Sequence, residues 1–311
     1  MKIVEIAKFT SLNRAPLVIE GYLFEGSDPE APSVAVVGAM EGKNILPLYT
    51  ASKLVDFLKN KIQNEDKIKG NILIIPSINS YALNINERFW PLDKTDINMM
   101  FPGYELGETT QRIAKKVFDA ICGYNYGIIL ESRDDLSNCI PYVKLFKSGF
   151  EDIEGAKTFG FRLISHKELT PIDTVTLQYN WQLWETKAYS IICPNANQID
   201  INSSNEIFEG IVQFLSKNGL IGYKVLNGFE STVATQDEVE IVKAPKSGIF
   251  ITTRKEGTCV SKDDVIGQIV HSLNGEIIYN FLAPCNGMIV CCYKNGLILE
   301  GTLTFRLIGS G

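Results

Sequence analysis

PSINSYALNINERFWPLDKTDINMMFPG, Pro76 to Gly103, is the most distinctive stretch of the chain. Upstream it merges with NILIIPSIN (Asn71 to Asn79), a buried-strand pattern that Pro76 is expected to stop. Further upstream, SVAVVGAM (Ser33 to Met40) is an almost unbroken apolar run, as in a strand covered on both faces. Between the two, Leu48 to Lys61 carries Leu54, Val55, Phe57 and Leu58 at helical spacing. Downstream come an amphipathic helix over Thr109 to Ile121 and a strand, YGIILES, over Tyr126 to Ser132. YSIICP (Tyr189 to Pro194) and a helix over Glu206 to Lys217, stopped by Asn218 and Gly219, complete the series. The alternation predicts an α/β fold, a mixed but mostly parallel sheet sandwiched by helices. Ligands of such sheets gather at the strands' carboxyl ends, here the loops after Met40, Pro76, Leu130 and Ile192.

Composition narrows the function. The chain has 311 residues, 45% hydrophobic and 21% charged, and a net charge of −6. That balance is globular, and it argues against a nucleic-acid partner. No apolar run reaches the roughly 18 residues of a membrane span, so no membrane partner is expected. MKIVEIAKFT alternates like a strand and lacks the features of a signal peptide. Seven cysteines without C-x-x-C spacing read as reduced thiols, and the expected location is cytoplasmic. Only two histidines exist, His166 and His271, which limits every metal or acid–base scheme.

After about Glu230 the pattern changes to short strands with frequent turn signals. The expected domains are therefore 1–230, α/β, and 231–311, a small all-β sandwich or barrel. APKSGIF (Ala244 to Phe250) is echoed by APCNGMI (Ala283 to Ile289), and Asn274–Gly275 between them reads as a two-residue hairpin turn. Two such halves resemble a biotinyl/lipoyl-type module. Its hairpin tip here, SLNGE, lacks the lysine of a carrier, so a packing or lid role is expected.

No phosphate loop, G-x-S-x-G elbow or H-E-x-x-H helix is present. The Pro76–Gly103 stretch does resemble a segment of the succinylglutamate desuccinylase/aspartoacylase family, which has the zinc-carboxypeptidase fold. Asn79, Ala82, Arg88, Phe89, Pro91, Asp93, Asp96, Asn98, Phe101, Pro102 and Gly103 fall in its register. The family's G-x-x-H-G-x-E motif aligns with GAMEGKN (Gly38 to Asn44), and its D-L-H with Ile129 to Glu131. By that resemblance the chain descends from zinc-dependent deacylases of N-acyl amino acids. The positions of the three zinc ligands are occupied by Glu41, Asn44 and Glu131, the general-base position by Ile192 with Cys193 next to it, and a substrate-gripping arginine by Met99. Arg88, which resembles the family's carbonyl-polarising arginine, and Asn98 are retained.

Without imidazoles the site offers oxygen donors only, which suit Mg²⁺, Mn²⁺ or Ca²⁺ better than zinc. No zinc is expected, and a hard divalent ion is the alternative cofactor. Glu41 and Glu131, if close, need a shared proton or a cation, for which Arg88 and Arg133 are the candidates. A thiol nucleophile at Cys193 lacks a base to activate it. The expectation is a family member without the deacylase activity that binds a small acylated amino acid or peptide-like ligand, or that pairs with an active paralog or with itself. The alternative is a hydrolase with a rebuilt site of Glu41, Asn44 and Glu131. Catalytic roles fall to Arg88 and Glu131, and the pocket is expected to contain Glu41, Asn44, Asn98, Met99, Arg133 and Cys193.

Overall fold

In a computed structural model, which describes residues 1–10, 15–63, 67–132, 137–194, 198–223 and 228–309, every residue from Val34 to Ala39 is buried. Val34 and Val36 enter one core, and Ala35 and Val37 enter another on the opposite face. A strand covered twice has no solvent face to mark with polar residues, which is why its sequence does not alternate.

The strands in chain order are β1 (Lys2–Phe9), β2 (Leu17–Phe24), β3 (Val34–Ala39), β4 (Ile72–Ser77), β5 (Tyr126–Ser132), β6 (Ser137–Cys139), β7 (Tyr142–Phe146), β8 (Leu163–Lys167), β9 (Lys187–Cys193) and β10 (Thr232–Thr235). All but β6 form one sheet in the order β1-β2-β4-β3-β5-β9-β7-β8-β10. Its centre is parallel from β4 through β3 and β5 to β9. β1 and β2 are antiparallel additions, and β7 runs antiparallel to β9. The helices are α1 (Ile45–Gln63), α2 (Ser80–Asn84), α3 (Thr109–Ile121), α4 (Ile153–Lys157), α5 (Leu177–Leu183) and α6 (Ile201–Lys217). Leu46, Leu54 and Leu58 of α1 and Ile207, Ile211 and Phe214 of α6 cover one face of the sheet. Ile113, Val117 and Ile121 of α3 and Leu177 and Trp181 of α5 cover the other. The expected mixed, mostly parallel sheet between helices is thus the observed fold. Pro76, expected to end its strand, lies inside β4.

The chain divides into two compact units. The first is Met1–Ser132 with Pro141–Val233, and the second is Arg133–Ile140 with Ala234–Gly311. The second unit is discontinuous, whereas the sequence pattern leads to consecutive domains at 1–230 and 231–311. Its later strands are β11 (Val239–Lys243), β12 (Gly248–Thr252), β13 (Cys259–Val260), β14 (Val265–Val270), β15 (Ile277–Leu282), β16 (Gly287–Tyr293), β17 (Leu297–Ile298) and β18 (Leu303–Gly309). They form a five-stranded sheet, in which β6 pairs β16, and a four-stranded one. Phe250, Ile269 and Phe281 from the smaller sheet meet Ile289, Phe305 and Leu307 from the larger in one core. The two A-P-x-x-G repeats lead into β12 and β16, each with its alanine buried. The hairpin turn is longer than two residues: β14 and β15 close at Val270↔Ile277, with Gly275 in the left-handed region at φ +76°.

The cysteines require a correction. Cys139 and Cys291 form a disulfide, where the sequence led to reduced thiols throughout. They sit directly opposite each other in the β6·β16 pair, and 152 residues separate them in sequence, so no spacing pattern could announce the bond. The bridge weighs against the expected cytoplasmic location, because such bonds persist mainly in oxidising compartments. No helix among the described residues is long and apolar enough to cross a membrane. Alkylation of denatured protein without reductant is expected to modify five cysteines, and all seven after reduction. Cys139→Ser should lower unfolding stability by roughly 2–4 kcal/mol in a denaturant titration.

Candidate functional site

The edge of the sheet where β3, β5 and β9 end holds the charged residues. After β3 the chain makes a turn in which the Asn44 N–H donates to Glu41 O at 3.1 Å. Two bonds clamp this turn: Gly42 N–H donates to Arg88 O at 3.0 Å, and Asn79 Nδ2 donates to Met40 O at 3.3 Å. The approach needs glycine, since a Cβ on Gly42 would lie 2.2 Å from Glu87 O and from the Ala82 carbonyl carbon. Backbone contact at Gly42 therefore sets Glu41 beside Arg88. The guanidinium grips the carboxylate with two bonds, Nε to Oε2 and Nη2 to Oε1, each 3.2 Å. Paired donors of this kind are the strong form of the arginine–carboxylate contact.

Glu131 sits one residue from the end of β5. Ile128 and Leu130 face the α1/α6 core and Ile129 the α3/α5 core, so alternation turns Glu131 to the α3/α5 side. Ser190 of β9 faces the same side, because Tyr189 and Ile191 face the other. Lys144 of β7 is the register partner of Ser190. Lys144 Nζ lies 2.7 Å from Glu131 Oε2, and Ser190 Oγ lies 2.8 Å from Glu131 Oε1 and 3.0 Å from Gln178 Oε1, its one proton shared between the two acceptors. Gln178 Nε2 in turn donates to Lys144 O at 2.8 Å. Three strands thus meet at one carboxylate, and α5 braces them through Ser190 and the Lys144 carbonyl.

A third acid, Asp96, caps the short 3₁₀ turn Ile97–Met100 by accepting from Asn98 N–H at 2.9 Å. Burial raises its pKa, with a further push from Glu131, against the pull of the Asn98 N–H and Arg88. Burial likewise pushes Glu41 up to about 7, Arg88 opposing and Asp96 and Glu131 adding to the rise. Glu41, Asp96, Glu131, Arg88 and Lys144 therefore form one electrostatic cluster. Sequence reading missed Lys144, Ser190 and Gln178 and gave Asp96 no role in the site. The lone lysine within YVKLF was the available signal.

The other expected residues divide. Asn44 is 2% exposed, and its Oδ1 has no hydrogen-bond partner. Asn98 Oδ1 accepts from Leu177 N–H at 3.2 Å, which ties the 3₁₀ turn to the start of α5. Met99 is half-buried in that turn. Cys193 is not brought to the cluster: it is fully buried in the α1/α6 core, and burial, with the Glu131 charge, pushes its thiol pKa up. Arg133 lies outside the described residues. His166 Nε2 is 3.0 Å from Glu151 Oε1.

The family's zinc does not fit these residues. The ligand positions supply oxygen donors only, and a cationic side chain already closes each of the two carboxylates. Among the described residues, no group of three or more His, Cys, Asp or Glu is placed to hold a metal.

Comparison with known proteins bears on ancestry. Residues 30–130 match the family described as Succinylglutamate desuccinylase/Aspartoacylase catalytic domain. The resemblance seen in the Pro76–Gly103 motif is shown over that segment, which contains Glu41, Asn44, Arg88, Asp96 and Asn98 and stops one residue before Glu131. The chain is also similar to the N-alpha-acetyl-L-2,4-diaminobutyric acid deacetylase of Halomonas elongata, 25% identical over 137 residues. That match spans 42% of this chain and only 39% of the relative. The solved succinylglutamate desuccinylase/aspartoacylase from Rhodobacter sphaeroides superposes with a TM-score of 0.75 at 16% identity, covering 99% of this chain and 94% of its own. The product-bound ectoine utilization protein EutE (DoeB) from Ruegeria pomeroyi gives 0.73 at 16% identity, covering 97% and 93%. At such identities the structures show a common fold.

Two outcomes are expected of this geometry. Folded Glu41 keeps its proton up to about pH 7, whereas in the unfolded chain it loses it near 4.5. Its contribution is therefore full below about 4.5 and is lost as pH rises through 7, by roughly 3 kcal/mol. Denaturation between pH 5 and 8 should show this decline in the wild type and a flatter profile in Glu41→Gln. Lys144→Met should lower stability by about 3 kcal/mol, since it leaves a buried carboxylate without its cation. Adding Glu131→Gln to that variant should recover most of the loss.

Proposed function

We propose that this chain is a member of the desuccinylase/aspartoacylase family that binds a small acylated amino acid or peptide-like ligand without zinc-dependent deacylation. One observation carries the reading: Arg88 holds Glu41 and Lys144 holds Glu131, the two carboxylates at the family's ligand positions. A tethered cation cannot present an open coordination position or activate a water, which is what the family's metal contributes. Arg88, 39% exposed at its side chain, is the group best placed to meet a ligand's carbonyl or carboxylate. The Halomonas relative, named as a deacetylase of an acetylated diamino acid, supports an amino-acid derivative as the ligand class. Association with an active paralog or with a second copy is a compatible role. The net charge of −6 gives no reason to propose a nucleic-acid partner.

The near-neutral pKa of Glu41 favours one second reading, a hydrolase rebuilt without metal. A carboxyl that titrates near the working pH is suited to general acid–base catalysis. Metal analysis and activity assays separate the two. Purified untagged protein is offered zinc, magnesium or manganese, freed of unbound ion, and measured by elemental mass spectrometry. The expected result is far less than one metal per chain and no hydrolysis of N-acetyl amino acids. One zinc per chain, lost in Glu41→Ala, would overturn the proposal. Metal-independent turnover abolished by Glu41→Gln would establish the second reading.

A further inference from the structure

A strand at the edge of a sheet turns unpaired N–H and C=O groups outward, a template for another chain, and proteins blunt such edges with charge or by keeping them short. Among the described residues, the edge strand β1 carries Lys2, Glu5 and Lys8, and β11 carries Glu240 and Lys243. The other strands with a free edge are brief: four residues in β10, three in β6 and two each in β13 and β17. β15 breaks this rule. It closes one side of the four-stranded sheet, and its six residues, IIYNFL, include no charge, proline or glycine. Ile277 and Leu282 at its ends are 55% and 46% exposed. A segment so rich in strand formers and free of charge is the kind that recruits a further strand.

The inner side of β15 is regular where it counts. Phe281, Asn280 and Tyr279 pair in unbroken register with Gly267, Gln268 and Ile269 of β14, and the register shift comes only beyond Tyr279, toward the hairpin turn. Ala283, just past the strand, donates its N–H to Asp264 O and accepts from the Asp263 N–H, both at 2.9 Å. Alternation from Ala283 turns the N–H and C=O of Leu282 and Asn280 away from β14, to the open side.

The sequence of the strand indicates what covers it. From Ile278 to Leu282 the order is aliphatic, aromatic, amide, aromatic, aliphatic, a pattern symmetric about Asn280. A two-fold axis at Asn280 lays the strand antiparallel to its own copy, with Tyr279 of each copy opposite Phe281 of the other. Aromatic pairs of this kind stabilise adjacent strands. The two Asn280 residues face each other with their outward N–H and C=O groups, so the central pair exchanges two bonds. A two-fold interface requires such self-complementarity, and no charge on the strand opposes it.

We propose that β15 is a self-association edge, on which a second copy of this chain docks antiparallel about Asn280 and joins two four-stranded sheets into one. Assembly stops at two copies, because the joined sheet ends on both sides in the two-residue β17. This gives a surface to the self-association named above and does not depend on the metal-free reading.

Sedimentation equilibrium of the purified full chain over a concentration series is the test. The expected result is a reversible rise in mass from one chain toward two and no further. Asn280→Lys sets two ammonium groups opposite each other and should weaken the dimer Kd about tenfold or more. Leu282→Pro removes an outward N–H and should weaken it likewise, with the β14 ladder left intact. Gln268→Lys is the control. It deletes the same Gln268–Asn280 side-chain bond and adds the same charge on the same face, one strand in from the edge. There the two new charges lie roughly 14 Å apart, beyond a Debye length at 0.1 M salt, so the Kd should be unchanged. Thermal unfolding checks that each variant is folded, and Asn280→Lys decides if the proline variant is not. The mass of one chain at every concentration, or a dimer that persists in folded Asn280→Lys, would overturn the proposal. So would a dimer lost equally in Gln268→Lys, the outcome for sheets stacked face to face.

Discussion

A carboxylate at the end of a buried strand has to be neutralised, and Glu131 shows how the molecule does so. Removed from water, an unpaired carboxylate costs several kcal/mol. Lys144 meets it from a strand that runs antiparallel to β9, and the Ser190 hydroxyl lies against its other oxygen. Because Gln178 bonds both Ser190 and the Lys144 backbone, the ion pair links β5, β7, β9 and α5 at one point.

The second pair is built differently. Glu41 meets Arg88 because a backbone contact at Gly42 brings their segments together. Arg88 is about twice as exposed as Lys144, 39% against 20% at the side chain. Solvent competes for the Arg88 guanidinium more than for the Lys144 ammonium, so burial outweighs the partner at Glu41 and its proton is held to near neutrality. Glu41 is thereby left responsive to pH near neutrality. On the proposed reading, the Lys144–Glu131 pair maintains the shape of the centre and Glu41 with Arg88 meets the ligand.

Most of the fold was legible because it rests on patterns with a period. The unbroken run at Val34–Ala39 and the helical spacing in α1, α3 and α6 gave the central sheet and its cover. The short β7 and β8 and the seven-residue α5 lacked enough length to show a period. At the site, motif register gave Glu41, Asn44, Arg88 and Glu131 their places. Lys144, Ser190 and Gln178 escaped because their roles arise from pairing between strands that are distant in sequence. Cys193 was expected at the pocket and instead faces the helical core, since one step along a strand reverses the side of the sheet.

The Cys139–Cys291 pair has a consequence for modularity. The C-terminal unit takes one of its strands and one of its cysteines from an excursion that leaves the α/β sheet after β5 and returns at β7. Its gene segment therefore cannot be lifted out as a single continuous piece. A cut near residue 233 would strand Cys291 without a mate and uncover the Cys291–Tyr293 stretch of β16 that β6 pairs, open to pairing with another chain. Such a unit is inherited whole with its host domain, so exchange of tail modules between relatives would have to carry two separated stretches of coding sequence together.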